Sequence, residues 1–453
     1  MANHPRGTDL LGRRRFLGLA AGAAAAAVAG PTLLTGCGTR ADKTLTFWQF
    51  YAPVTQDDPT LLKQSKWFER LVEQWNDEHD VKVRLVFIQG TAYLNGTKLP
   101  TAFAAEDGPD IFLISPGDFL RYYNGGVLQD LTPHLSAEAQ ADYFPDTLTT
   151  RSVDGRIYAL PMEVEPLAMF YSRPAWEKAG LSEGDIPKTW DDLLGVAEKL
   201  TTGQQSGLVL ETVPGYYQNF TFYPWMWQAG GKVLNADQTR STLDGDGVVR
   251  ALTLWHDSVR TGVSPRTLPA GGDLIAGLTQ GLAAMWHSGI WNVASFRDNE
   301  PDFDYGVFKA PVPEGGEYTT DLGGWAFVAN ARGRDPETAA EFCAYALGSM
   351  EDHTVKRVTD WCVGAKTDIA PRKSVLRLAT ERGGYKGEAM KAFKDDIFPG
   401  GRAEPRYPPV IYKAISDAIQ ATQLAGADPR QAAETARQAV DAYLETYEGP
   451  RML

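Results

Sequence analysis

Thr44-Leu45-Thr46-Phe47-Trp48 decides how the rest of the chain is read, because polar and apolar residues alternate there as on a strand with one buried face. Phe68, Leu71, Val72 and Trp75 follow at helical spacing, which predicts a helix over 67–75. Val81-Lys82-Val83-Arg84-Leu85-Val86 alternates again as a second strand. Thr97 to Ala105 suggests another helix, and Gly108-Pro109 breaks it before the apolar strand Asp110-Ile111-Phe112-Leu113-Ile114. Strands alternating with helices read as parallel βαβ units, since a parallel pair needs a crossover long enough to hold a helix. The pattern resumes at Gly207-Leu208-Val209-Leu210 and at Trp325-Ala326-Phe327-Val328. Long helices over Pro336 to Ala346 and Val410 to Leu424 mark the C-terminal third. No repeat, low-complexity tract or Ser/Pro linker divides the chain, which fits two α/β lobes with the chain crossing between them.

The segment ahead of this body is of another kind. Arg13-Arg14-Arg15-Phe16-Leu17 sets a twin arginine before an uncharged run of Ala, Gly and Leu, which closes on Leu34-Thr35-Gly36-Cys37. The order is that of an export signal over 1–36, and the twin arginine points to the route for folded proteins. The ending resembles a bacterial lipobox, so Cys37 is expected to carry the lipid and 37–43 to form a short polar tether. A retained signal anchor is the alternative, although the Ala/Gly-rich run is weakly hydrophobic for a membrane span. Both readings place the body outside the cytoplasm.

The chain carries 57 acidic against 44 basic residues, a net charge of −13, and the leader is itself basic. An acidic body argues against nucleic acid or an anionic membrane face as partner. With 43% hydrophobic and 22% charged residues the composition is that of a folded protein. Once Cys37 is set aside, Cys343 and Cys362 remain, either as a disulfide or as two buried thiols. No Cys-x-x-Cys, His-x-x-x-His, His-Glu-x-x-His, Gly-x-Ser-x-Gly or phosphate-loop pattern occurs, so no metal, cofactor or catalytic signature is expected. Asp244-Gly245-Asp246-Gly247 lacks the alternating acidic ligands of a calcium loop and reads as a turn capping a helix that begins near Val248. His287, beside Trp286, reads as a structural histidine.

Aromatic residues are the unusual resource, with 12 Trp, 18 Tyr and 19 Phe, many grouped near Gly, Pro, amides and acids. Examples are Trp48-Gln49-Phe50-Tyr51, Tyr216-Tyr217-Gln218-Asn219-Phe220, Tyr223-Pro224-Trp225-Met226-Trp227, Gly289-Ile290-Trp291 and Gly323-Gly324-Trp325. A sugar has an apolar C–H face and a hydroxyl rim, so its pocket joins flat rings with acids, amides and guanidinium groups. Any single ring is as well explained by core packing.

Several motifs then occur in order. Asp154-Gly155-Arg156-Ile157-Tyr158-Ala159-Leu160-Pro161 with Ala168-Met169-Phe170-Tyr171-Ser172-Arg173 resembles the segment where periplasmic sugar-binding proteins first cross between lobes. Pro187-Lys188-Thr189-Trp190-Asp191-Asp192-Leu193 resembles the helix start of that family. Gly108-Pro109-Asp110-Ile111, Gly230-Gly231, Ala283-Ala284-Met285 before Gly289-x-Trp291, and Asp304-Tyr305-Gly306-Val307 complete the set. From about Thr44 onward the chain resembles the sugar-binding lipoproteins of bacterial ABC importers. The resemblance implies a periplasmic-binding-protein-like α/β fold, two lobes joined by crossover hinge strands around a ligand cleft. Lobe 1 would comprise roughly 44–165 plus 320–370, and lobe 2 roughly 166–319 plus 371–453.

The same resemblance implies a cleft acid at Glu165 or Glu163, a stacking ring at Trp291, and contacts from Gln218, Phe220 and Trp225. It also turns Asp118, Trp48, Gln49 and Trp325 toward the cleft. Aromatic platforms of the maltose-binding members fall at Ile114 and Ile411, so Arg406 and Tyr407 would supply the C-terminal contacts. A monomer is expected, with a carbohydrate ligand, a membrane permease as partner, contact with the membrane through the lipid alone, and no chemistry. An exported glycoside hydrolase with Glu163 or Glu165 paired to Asp118 is the competing reading. A sensor or adhesion lipoprotein on the same fold is a third.

Overall fold

The opening alternation is realised as β1 (Leu45–Gln49), which pairs in parallel with β2 (Val83–Phe87) and with β3 (Ile111–Ile114). The computed structural model describes residues 44–94 and 97–453; the leader, Cys37 and the tether lie outside the described residues. A short hairpin, β4 (Ser152–Val153) and β5 (Arg156–Ile157), precedes β6 (Leu160–Pro161) and the long β7 (Glu165–Ser172). Later strands are β8 (Met285–Gly289), β9 (Tyr305–Phe308), β10 (Thr320–Gly323), β11 (Ala326–Ala329) and β12 (Gly401–Ala403).

They build two five-stranded sheets. The first runs β2-β1-β3-β11-β6, and the second runs β12-β10-β7-β8 with β9 also paired to β7. Phe47, Phe68, Phe327 and Trp361 interlock over the first sheet, with Phe47 and Phe327 ring centroids 4.9 Å apart. Phe170, Phe296, Tyr305 and Phe393 fill a smaller core against the second. The chain passes between sheets at 162–164 and again at Gly324–Trp325. A third segment, Lys366–Ala370, lies beside the first crossing, where Val164 and Ile369 exchange backbone hydrogen bonds of 2.9 and 3.1 Å.

Local chemistry explains the element ends. The helix Trp190–Leu200 begins in a capping box, with Thr189 Oγ1 accepting the Asp192 N–H at 3.1 Å and Asp192 accepting the Thr189 N–H at 3.0 Å. The first helix is longer than the 67–75 expected, spanning Pro59–Glu78. Asp58 caps it by accepting the Leu61 N–H, but Thr60, Gln64 and Ser65 in its early turns are buried polar residues that hide the apolar stripe. Gly207–Leu210 is an extended flank of β8 and not a full strand, Val209 N–H donating to Met285 O at 2.8 Å.

Gly245 begins the helix Asp246–Arg260, and Asp244 and Asp246 pair with Arg437 and Arg430, so this acidic turn caps and binds arginines. Cys343 and Cys362 are free buried thiols, not a disulfide, and burial pushes both thiols up. Among the described residues no helix is long and apolar enough to cross a membrane.

Candidate ligand-binding site

The crossings meet a pocket of about 520 Å³ whose walls come from both sheets. The loop after β1 brings Phe50 and Tyr51, and the second crossing brings Trp325, whose ring meets that of Phe50 edge-on at 4.9 Å. From the other side come Tyr217 and Phe220 on the helix Tyr216–Gln228, and Trp291 just after β8. The Trp291 centroid lies 6.0 Å from Tyr217 and 6.4 Å from Phe220. Gly289 is the seat of that indole, since a Cβ there would come within 1.8 Å of the ring. The Gly-x-Trp spacing is therefore a steric requirement.

Polar groups are placed between the rings. Glu165 is buried at the start of β7 and is ion-paired with Lys366, which lines the same wall. Glu211 holds the Thr212 and Val213 N–H groups on one oxygen, at 2.9 and 2.7 Å, and burial raises its pKa. Asn292 donates to Ser288 Oγ at 2.8 Å, and Ser288 Oγ also meets the Tyr217 hydroxyl at 3.1 Å. Such a set offers flat apolar faces with acceptors and donors at their edges.

Behind Glu165 lies a buried ionic cluster. Glu163 is fully buried, accepts the Trp325 N–H at 2.8 Å and the Trp361 indole N–H at 2.5 Å, and lies 3.7 Å from Lys366 Nζ. Burial pushes its carboxyl up to about 7. Asp368, 3.4 Å from Lys366, is also fully buried. The three carboxylates approach within 4.8 Å of one another, and the Lys366 ammonium is the cation they share. Gly324 makes this packing possible: its φ is +117°, and a Cβ would sit 2.4 Å from Glu163 O.

Of the residues expected at the cleft, Glu165, Phe220, Trp291 and Trp325 line the pocket. The others do not. Glu163 is directed into the cluster behind the wall. Gln49 is buried and satisfies its own loop, accepting the Tyr51 and Ala52 N–H groups at 2.6 and 2.7 Å. Trp48 is half-buried under Lys98, whose Nζ is 5.5 Å from the ring. Asp118 faces Arg121 at 3.7 Å. Gln218 is enclosed by Ser416 and Gln423. Trp225 is core, its indole N–H donating to His287 at 3.3 Å; burial holds His287 neutral, with its pKa lowered to about 3. Arg406 is buried and donates to the Thr150 and Ser152 carbonyls, and Tyr407 is also buried.

Sequence reasoning passed over Lys366, Glu211, Ser288 and Asn292. Asn292 directly follows Trp291 and was within reach of the Gly-x-Trp motif. Nothing local marks Lys366, which is brought in by the third crossing.

Two α/β lobes, crossing strands between them and a pocket at that junction define a hinged binding protein. The chain belongs to the bacterial extracellular solute-binding protein family, whose pattern matches residues 59–351. It is 28% identical over 341 residues to the arabinooligosaccharide-binding protein of Bacillus subtilis, covering 72% of this chain and 73% of that one. It is 24% identical to the galactooligosaccharide-binding protein of the same organism, over 83% and 87% of the two chains. The GacH receptor of Streptomyces glaucescens, solved unliganded and with acarbose, superposes with a TM-score of 0.73 at 20% identity, covering 89% of this chain and 99% of that one. A Thermotoga lettingae ABC-transporter solute-binding protein bound to α-D-tagatose gives 0.72 at 23% identity, over 89% and 100%.

Proposed function

We propose that this protein captures a carbohydrate, a di- or oligosaccharide, in the interlobe pocket and delivers it to the permease of an ABC importer. The observation that carries this reading is the pocket wall, where Phe50, Phe220, Trp291 and Trp325 alternate with Glu165, Glu211 and Asn292. Its volume of about 520 Å³ falls among small-molecule sites, roughly 300–1,000 Å³. The oligosaccharide-binding relatives support a sugar ligand. The protein works outside the cytoplasm as a monomer, held to the membrane by a lipid on Cys37.

Binding needs no bond to break. The hydrolase reading pairs Glu163 or Glu165 with Asp118 across one bond; of these only Glu165 lines the pocket, where Glu211 and Asp58 are the other carboxylates, so a product assay separates the two readings. A thermal-shift screen of mono- and oligosaccharides tests the proposal, because a ligand that binds only the folded state raises its melting temperature. A saturable shift without product release is expected. Cleaved glycan, lost in Glu165→Gln, would replace binding by hydrolysis; no shift with any saccharide would remove the sugar reading. Cys37→Ser should leave sugar affinity intact while releasing the protein from the membrane fraction.

A further inference from the structure

The cluster of Glu163, Glu165, Lys366 and Asp368 joins the ligand pocket to the segments on which the lobes hinge. Glu163 belongs to the first crossing, takes the backbone N–H of Trp325 on the second, and faces Lys366 on the third. Lys366 and Glu165 form the part of the cluster that lines the pocket, and Asp368 and Glu163 form the part sealed from it. Ligand contact and hinge geometry therefore share one set of charges.

That set does not balance. Three carboxylates surround one ammonium, and among the described residues no second cation pairs with any of them. Tyr51 and Trp361 cover Lys366 with their rings, the cation lying 5.7 and 5.8 Å from the centroids. Cys362 and Tyr385 face Asp368 and are neutral, burial raising both. Arg151, buried in the loop before β4, adds positive potential toward Glu163 but donates to the Thr147 and Gly324 carbonyls. Asp368 Oδ2 has only Lys366 Nζ, at 3.4 Å, and Oδ1 has no donor among the described residues. Excess negative charge in a buried site is costly, and a proton relieves it.

We infer that ligand capture is linked to proton uptake by this cluster, with Glu163 and Asp368 sharing the proton that lets the charges at the hinge be sealed. The inference rests on the pocket being the ligand site. A ligand seated against Glu165 and Lys366 removes water from the one wetted edge of the cluster, so the bound form holds the proton more tightly than the free form. The groups concerned sit where this matters at ordinary pH, since burial holds Glu163 at about 7 and Asp368 above its usual range. By linkage, affinity is then greatest on the acid side and falls as pH rises through that region, about tenfold for each unit by which the ligand raises the cluster's pKa.

Isothermal titration calorimetry of the soluble body at pH 7 tests this, with arabinotriose, galactotriose and maltotriose as probes in phosphate and in Tris. Binding that takes up a proton gives an apparent enthalpy that differs between the two buffers by the proton fraction times their difference in ionisation heat. The wild-type chain should show uptake, and Asp368→Asn and Glu163→Gln should each reduce it. Saturable binding with the same heat in both buffers would overturn the inference while leaving sugar capture intact. Absence of saturable heat with every probe would overturn the sugar reading and this inference with it. The wild-type measurement decides the matter even where a variant fails to fold.

Discussion

The hinge side and the rim of the pocket use charge in opposite ways. At the hinge, Glu163, Glu165, Lys366 and Asp368 are all nearly or fully buried, and Lys366 is the partner of all three acids, two of them on the first crossing and the strand it leads into. At the rim, the first helix meets the helix Asn292–Asn299 through cations that keep water: the Asp298 side chain is covered, but its partners Lys63 and Arg297 are exposed. Lys63 pairs with Asp298 at 2.6 Å with half its side chain in water, and Asn299 donates to Asp58 at 3.2 Å. Buried pairs are expensive to break because the surviving charge has no water, whereas exposed pairs contribute between nothing and about 1 kcal/mol. The contrast teaches how a hinged binder can be stiff about its axis and loose at its edge.

Lys366→Met is the strongest way to break this comparison. It strands three buried carboxylates and is expected to cost about 3–5 kcal/mol, measured by urea unfolding. A loss under about 1 kcal/mol would mean that the cluster is no dearer than a surface pair. Next comes Trp291→Ala, which should weaken the sugar by about 1–3 kcal/mol if the ring stacks on it. Unchanged affinity by calorimetry would assign that indole to packing against Tyr217 and Phe220.

A pH series sharpens the hinge half. Glu163 has a higher pKa folded, about 7, than the ordinary 4.5 of an unfolded glutamate. The proton therefore stabilises the native state, fully below pH 4.5, and this contribution is lost as pH rises through about 7. Urea midpoints between pH 4.5 and 7.5 should show that decline, and Glu163→Gln should flatten it; an equal decline in the variant would assign the slope elsewhere. The smallest effect belongs to the rim. Lys63→Ala should change stability by less than about 1 kcal/mol, and its effect should shrink further at high salt. A loss of several kcal/mol would show that the rim is as integral as the hinge.

The fold was more legible than the site. β1, β2, β3 and β11 each carry their pattern in a few adjacent residues, as does the capping box at Thr189. Trp291 was legible because Gly289 must precede it for its ring to fit. Gln49, Gln218 and Arg406 misled because a polar side chain next to an aromatic residue reads the same whether it meets a ligand or bonds within the protein. The early turns of the first helix were hidden for a related reason. Thr60 and Gln64 are buried yet polar, since they line the pocket, and a hydrophobic period does not register them.

The sequence by itself determined the α/β class and the aromatic stock from which the pocket is built. Each depends on residues close together in the chain. Only the tertiary structure decided which acids face the pocket and which are sealed behind it. Glu163 and Glu165 are two residues apart, and their separate roles come from Lys366, about two hundred positions later, brought in by a third strand of chain. Partners so distant leave no mark on local spacing, and burial, which sets their charge, exists only once the lobes have packed.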